Sequence, residues 1–90
     1  MEFEWDPKKS VANERKHAVT FQEASTVFGD RLAMTFADPD HSMNEHRYLT
    51  FGLSKDNRLL VVSHTDRGDK TRIISARLTD RKERRIYEEG

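Results

Sequence analysis

The sequence predicts an α+β fold, a single domain in which an antiparallel β-sheet carries two N-terminal helices and one C-terminal helix packed on one face. Two observations support this fold class. Helix-capping patterns stand near both ends of the chain, and between them apolar and polar residues alternate with the period of two that is typical of strands. Turn-forming residues separate the alternating stretches, so neighbouring strands should pair in antiparallel hairpins.

The two N-terminal helices are predicted from their first residues. Asp6 followed by Pro7 matches an N-cap with proline at the first helical position, and this helix should run to about His17. Thr20 has a glutamate three residues later, which is the spacing of a capping box. The second helix should end at Gly29, because glycine readily adopts the left-handed conformation that closes a helix.

The strands are predicted from the alternating pattern and from the turns between them. Phe3 and Trp5 alternate with acidic residues and indicate a short first strand. The turns contain the proline, glycine, aspartate or asparagine that tight turns favour. The other predicted strands are Leu32 to Phe36, Arg47 to Leu53, Leu59 to Thr65 and Thr71 to Leu78, separated by turns at residues 38–40, 55–57 and 67–69.

The composition limits the class of protein. Ninety residues with 34% hydrophobic and 36% charged side chains are enough for one domain with a thin core. The absence of cysteine excludes disulfides, thiolate metal sites and a cysteine nucleophile. The longest apolar run, Leu59 to Val62, is too short to cross a bilayer, and the N-terminus does not resemble a signal peptide. The expectation is a cytoplasmic protein with no membrane contact.

The charge is unevenly distributed along the chain. The whole chain is neutral, but residues 66–85 hold eight basic and four acidic residues, a net charge of +4, so the remainder carries −4. Arg72 and Arg77 lie on the last strand, and the last helix follows at once, capped by Thr79 or Asp80 and ending near Tyr87. That helix adds four cations, Arg81, Lys82, Arg84 and Arg85. A basic surface on a neutral protein predicts an anionic partner such as RNA.

The hairpin turns predict which side chains meet on the sheet. If Ser54 pairs with Arg58 across the first turn, Tyr48 lies opposite His64. If Asp66 pairs with Lys70 across the second turn, His64 lies opposite Arg72. Tyr48, His64 and Arg72 would then form one row on one face, with Glu45 and Arg47 entering at the same end. These side chains can cut RNA without a metal, by activating the ribose 2′-hydroxyl, stabilising the phosphate and protonating the leaving oxygen.

Several blocks keep their order and spacing along nearly the entire chain: Trp5-Asp6, Lys9, Asn13, Lys16-His17, Val19, Phe21, Glu23-Ala24, Glu45, Arg47, Gly52, Leu60 to Val62, Arg72 to Arg77, Glu83 and Tyr87. On these blocks the chain resembles the BrnT family, the toxin half of a bacterial type II toxin–antitoxin pair. The family usually has glycine where this chain has Ala18. If a left-handed helix cap is needed there, alanine costs about 1 kcal/mol.

The resemblance implies a RelE-like fold and an RNA-cleaving toxin that halts translation. It also implies a cognate antitoxin similar to BrnA, whose ribbon-helix-helix part binds operator DNA, so that the toxin would reach DNA only through this partner. No cofactor and no metal are expected.

We assign candidate roles on this basis. Arg72 and Arg77 would bind the scissile phosphate, Glu45 and His64 would act as acid and base, and Tyr87 could donate a proton. The candidate RNA-binding residues are Arg47, Tyr48, Lys16, Arg81, Lys82, Arg84 and Arg85.

Structural alternatives stand beside these roles. The two arginines can be strand-edge charges paired with nearby carboxylates, Glu45 can pair with Arg47, and His64 can be a buried, hydrogen-bonded histidine. Tyr87 can anchor the last helix, and Lys16 can simply stabilise the first. The loop that holds His41 and His46 can be solvated, or it can bind a metal. The rival function is a non-catalytic module that binds RNA, the ribosome or an antitoxin.

Overall fold

The computed structural model describes residues 1–38 and 46–90. The described part folds into five strands, three α-helices and a single 3₁₀ turn. In chain order these are β1 (Glu2–Glu4), α1 (Pro7–His17), α2 (Phe21–Thr26), the 3₁₀ turn (Val27–Gly29), β2 (Met34–Ala37), β3 (Arg47–Leu53), β4 (Leu59–Arg67), β5 (Lys70–Leu78) and α3 (Arg81–Glu89). No helix in the described ranges is both long and apolar enough to span a membrane.

One mixed sheet forms the centre of the molecule, with strand order β1-β5-β4-β3-β2. Strands β2 to β5 pair antiparallel in sequence, as the turns predict. The first strand is the exception, because β1 pairs with β5 in parallel, with Phe3 beside Thr71. The α+β class is therefore confirmed, with one parallel pair at the edge of an otherwise antiparallel sheet.

The predicted element bounds agree with the structure to within two residues, except at the end of α2. Helix α1 and strand β3 begin and end at the predicted residues. Thr20 caps α2 by accepting a hydrogen bond from the Glu23 amide at 3.0 Å, but the Glu23 carboxylate binds Arg58 and Ser54 instead of completing a capping box. Helix α2 ends at Thr26, and the remaining turn to Gly29 is 3₁₀.

The hydrophobic core lies between one face of the sheet and helices α1 and α2. Leu60 and Val62 of β4 alternate with residues that point to the other face, and both are fully buried. Gly52 of β3 is required by this packing, since an added Cβ would lie 2.8 Å from Cγ1 of Val27. The buried core residues are Val19, Phe21, Ala24, Val27, Leu60, Val62, Ile73 and Ala76, with Phe3, Trp5 and Phe28 packed against them.

Helix α1 closes the edge of β5 where β1 stops. Strand β1 pairs only with residues 70–72 of β5, so the next residues have no strand on that side. The buried Asn13 side chain takes this place. Its Nδ2 donates to the Ala76 carbonyl at 2.8 Å and to the Val19 carbonyl at 2.9 Å, and its Oδ1 accepts from the Ala76 amide at 3.0 Å. Asn13 therefore has a structural role.

Helix α1 ends in a left-handed cap at Ala18, the last residue of its Lys-His-Ala sequence. Ala18 adopts the left-handed conformation, with φ 57° and ψ 35°, and its amide donates to the Glu14 carbonyl. Three basic residues, Arg15, Lys16 and His17, occupy the last turn, where cations complement the helix dipole. The left-handed cap is thus formed in spite of alanine.

The expectation that all three helices pack on one face is not confirmed. Helix α3 contacts the sheet through an ion pair between Glu83 and Arg77. Arg77 follows Ala76 directly, so its side chain belongs to the face opposite the core of α1 and α2. Helix α3 also contacts β3, and it contains no buried residue.

Candidate nucleic-acid interface

A shallow groove of about 340 Å³ lies on the sheet face opposite α1 and α2. We call it the sheet groove. Two small hydroxyl residues that face each other on adjacent strands, Ser63 and Ser75, form part of its lining. It is lined by Asp38, Arg47, Leu49, Ser63, Ile74, Ser75 and Arg77. Two guanidinium groups and one carboxylate therefore border a lining of small hydroxyl and aliphatic side chains, which suits an extended phosphate backbone.

A β-bulge places the candidate arginines of β5 on the same face. Arg72 and Arg77 are five residues apart, and in a regular strand an odd spacing puts side chains on opposite faces. The pairing of β4 with β5 shifts by one residue at Ser63 and His64, leaving Ile74 unpaired. Arg72 therefore pairs with Thr65 and Arg77 with Val61. These two rows lie on one face, roughly 13 Å apart along β4.

The predicted row of Tyr48, His64 and Arg72 is confirmed for the first two residues and wrong for Arg72. Tyr48 does pair with His64, as the first turn predicts. The second turn has two residues instead of three, with Arg67 paired to Lys70, so Arg72 lies opposite Thr65 and on the other face from His64. The row that does form on the groove side is Arg47, Thr65, Arg72 and Glu4.

Each of the two β5 arginines is bound by a carboxylate of the same chain. Arg72 donates to Glu4 at 2.8 Å, across the β1–β5 pair. Arg77 donates to both oxygens of Glu83, each at 2.8 Å. The hydrogen bonds to Glu83 raise the pKa of Arg77, and those same bonds lower the pKa of Glu83. An RNA phosphate would exchange with these carboxylates when it binds either arginine.

His64 belongs to the core face and not to the sheet groove. Only 6% of it is exposed, and its Nε2 shares a 2.7 Å hydrogen bond with Thr50 Oγ1. Its ring packs against Phe28 at 4.9 Å and stacks on Tyr48 at 5.8 Å. Burial lowers its pKa, partly offset by Asp66. This geometry agrees with the structural alternative, in which His64 is a buried and hydrogen-bonded histidine.

Tyr87 anchors α3 to the segment before β2. Its hydroxyl donates to Asp30 Oδ2 at 2.7 Å, and this bond to the carboxylate raises the pKa of Tyr87 to about 12. Asp30 also accepts from the amides of Leu32 and Leu53, at 2.9 and 2.8 Å. A hydroxyl held in this way is poorly suited to donate a proton to a leaving group.

The remaining predicted residues lie in several places. Arg47 lines the sheet groove, whereas Lys16 lines a second groove beside α1. None of the α3 cations lines the sheet groove, although all four are exposed: Arg81, Lys82, Arg84 and Arg85. Glu45 and His41 lie outside the described residues. Within residues 1–38 and 46–90, no three histidine or carboxylate side chains are grouped as a metal site requires.

Sequence reasoning missed three polar residues of the sheet groove, as well as its aliphatic Leu49 and Ile74. Asp38 was interpreted as part of a turn, yet it lines the groove with Arg47, and its amide donates to the Arg47 carbonyl at 2.8 Å. Ser63 and Ser75 carry no signal in the sequence, because isolated serines are common in strands. The pairing of β3 with β2 was the available signal for Asp38, since it brings the end of β2 beside the start of β3.

A small α+β domain whose sheet groove presents two arginines belongs to the class of proteins that can bind phosphate groups. The family model for BrnT, the ribonuclease toxin of a type II toxin–antitoxin system, matches residues 5–83. The chain therefore belongs to the BrnT ribonuclease toxin family.

The fold has a solved counterpart. The 1.1 Å crystal structure of the Brucella abortus ribonuclease toxin BrnT superimposes with a TM-score of 0.69 at 20% sequence identity, covering 90% of this chain and 99% of that one. At this identity the likeness concerns the fold alone. No curated protein matches the sequence significantly. The RelE-like assignment stays a prediction.

Proposed function

We propose that the protein is a metal-independent endoribonuclease and that the sheet groove is its active site. The observation that carries this is the joint lining of one groove by Arg47, Arg77 and Asp38. The two arginines would bind the scissile phosphate and its neighbour. Arg72, in the row of Arg47 on the same face, would bind a flanking phosphate after releasing Glu4.

The proposed reaction is attack by the ribose 2′-hydroxyl on the adjacent phosphate. Asp38 would accept the 2′-hydroxyl proton as the new oxygen–phosphorus bond forms. The bond from phosphorus to the 5′-oxygen then breaks, leaving a 2′,3′-cyclic phosphate. We propose Glu45 as the acid that protonates the departing 5′-oxygen. The arginines would stabilise the extra negative charge of the crowded phosphorane, which is the largest contribution such sites make.

Cleavage of a defined RNA, followed on gels with and without EDTA, tests the proposal. Arg47→Ala and Arg77→Ala should each lower the cleavage rate by about 10²-fold, and EDTA should have no effect. Arg31→Ala is the matched control, because Arg31 is exposed and lies outside the groove. Circular dichroism on each variant separates loss of activity from loss of fold, since Arg77→Ala also leaves Glu83 without its partner.

A non-catalytic RNA-binding function is the second candidate. The observation in its favour is that Glu4 and Glu83 occupy Arg72 and Arg77. In the same assay, RNA that is bound but left intact by the folded protein would establish this function. Cleavage abolished by EDTA would instead point to a metal-dependent enzyme.

We further propose that this toxin acts in the cytoplasm, cuts RNA needed for translation and is neutralised by a cognate antitoxin. Membership of a toxin–antitoxin family supports the partner. A BrnA-like, ribbon-helix-helix antitoxin would bind the operator DNA for the complex. Co-expression with a BrnA-like antitoxin should relieve growth arrest, and persistent arrest would count against the pairing.

A further inference from the structure

The sheet groove continues into a second groove at the edge of β5. This helix groove, of about 240 Å³, lies between α1 and β5 and is lined by Lys9, Ala12, Asn13, Lys16, His17, Ile74 and Ser75. Ile74 and Ser75 line both grooves. They stand at the β-bulge, and Ser75 is exposed. A strand of RNA can therefore pass from one groove to the other over a small polar side chain.

The helix groove is cationic, and among residues 1–38 and 46–90 no carboxylate lines it. Lys9 and Lys16 are seven residues apart on α1, which places them on one face and about 10 Å apart along the helix axis. This differs from the sheet groove, where Glu83 already neutralises Arg77. The polar residues of α1 that line the groove are Lys9, Asn13, Lys16 and His17. Asn13 is committed to the backbone of β5, so the two lysines are the long cationic side chains that can bind a ligand, with His17 beside them.

The geometry points to the helix groove as a second subsite for single-stranded RNA, in which Lys9 and Lys16 bind phosphates that flank the cleavage site. The inference rests on the proposed function for its substrate. Continuity with the sheet groove favours RNA over an acidic protein segment, because one extended polyanion can fill both. Lysine contacts of this kind bind phosphates without reading sequence, so the subsite should lengthen the RNA footprint and leave base preference unchanged.

A binding experiment tests this independently of catalysis. The probe is a fluorescent RNA dodecamer with 2′-O-methyl riboses, which cannot be cleaved by 2′-hydroxyl attack, and the readout is anisotropy over a range of salt concentrations. The double variant Lys9→Gln/Lys16→Gln should bind it about tenfold more weakly, and the slope of log affinity against log salt should fall by about 1.4, or 0.7 for each lost phosphate contact.

The matched control is Lys8→Gln/Arg15→Gln. These residues are also seven apart on α1, carry the same charge and are exposed, but do not line the groove. The control variant should bind the RNA dodecamer with an affinity within about twofold of that of the unaltered protein. Charges that do not contact the RNA act on it only through the field that salt screens. Equal losses in the two double variants would overturn the inference.

The outcomes also separate this inference from the proposed function. If natural RNA is never cleaved but the dodecamer shows the expected difference, the subsite stands and the nuclease proposal fails. If natural RNA is cleaved but both double variants bind the dodecamer equally well, the nuclease proposal stands and the subsite is wrong. If Lys9→Gln/Lys16→Gln leaves RNA binding intact and weakens only the complex with the co-expressed antitoxin, the helix groove is a protein-binding site and the RNA subsite is wrong.

Discussion

At the scale of residues, Ala18 adopts a left-handed backbone conformation that is unfavourable for a residue with a Cβ atom. Its φ of 57° brings the Cβ of an L-residue close to its backbone, which costs about 1 kcal/mol relative to glycine. The strain is tolerated because the cap satisfies the Glu14 carbonyl and because Arg58 donates to the Ala18 carbonyl at 3.0 Å.

We therefore predict that Ala18→Gly stabilises the protein. The free energy of unfolding should rise by about 0.5–1 kcal/mol, since the left-handed conformation no longer carries a Cβ penalty. Urea unfolding followed by circular dichroism measures this. Ala12→Gly, at an exposed helical position of α1, should have the opposite sign. A lower midpoint for Ala18→Gly would contradict the strain argument.

At the scale of elements, helix α3 is attached to the fold by polar contacts and contains no buried residue. Its charges oppose the helix dipole, with cations in the first turn and glutamates in the last. Among the described residues, two polar side-chain contacts join it to the rest of the fold, and a capping box stabilises its own first turn. The capping box joins Asp80 and Glu83, Glu83 binds Arg77, and the Tyr87 hydroxyl binds Asp30.

We predict that Tyr87→Phe loosens α3 while keeping the sheet intact. Loss of one hydrogen bond to a carboxylate at a partly exposed site should lower the free energy of unfolding by about 1 kcal/mol. Hydrogen exchange of the α3 amides should accelerate, with little change in β4 and β5. Tyr48→Phe is the matched control, because it removes a tyrosine hydroxyl from a ring that stacks on His64 and lies away from α3. Equal exchange in both variants would mean that the hydroxyl does not hold α3.

The elements themselves were largely predictable, but the site depended on two details of register. Caps and alternation predicted α1, β3 and the antiparallel order of β2 to β5, because these signals are local, whereas the parallel pairing of β1 with β5 was not predicted. The second turn could have two or three residues around Gly68, and this choice decides the face of Arg72. The bulge at Ile74 leaves no mark in a run of β-branched and small residues. If β5 is treated as a regular strand, the five-residue spacing places Arg77 on the face opposite Arg72, whereas the bulge places both on one face.

At the scale of the whole molecule, two buried titratable groups link the fold to pH in the same direction. Burial lowers the pKa of His64, and the hydrogen bond from Arg58 lowers the pKa of Glu23. In both cases the unfolded chain binds protons more readily than the folded one, so stability rises with pH. The contribution of His64 is complete above the unfolded value near 6.5 and is lost below it, while that of Glu23 is lost below about 4.5.

We predict that the thermal midpoint falls in two stages as the solution is acidified from pH 8. The first stage, near and below pH 6.5, should be flattened in His64→Gln, whatever the absolute stability of that variant. His17→Gln is the control, since His17 is not buried, and it should keep the first stage. Differential scanning calorimetry across the pH range measures both, and an unchanged first stage in His64→Gln would assign it to other groups.

The short β1 has a consequence for behaviour at high concentration. A strand whose amides and carbonyls face outward is a template onto which another chain can add its own strand. Along β5 this exposed edge begins where β1 stops. There the Asn13 carboxamide forms the two hydrogen bonds to Ala76 that the backbone of a neighbouring strand would otherwise form. We therefore expect the Asn13 side chain to hinder edge-to-edge association of two molecules along this part of β5.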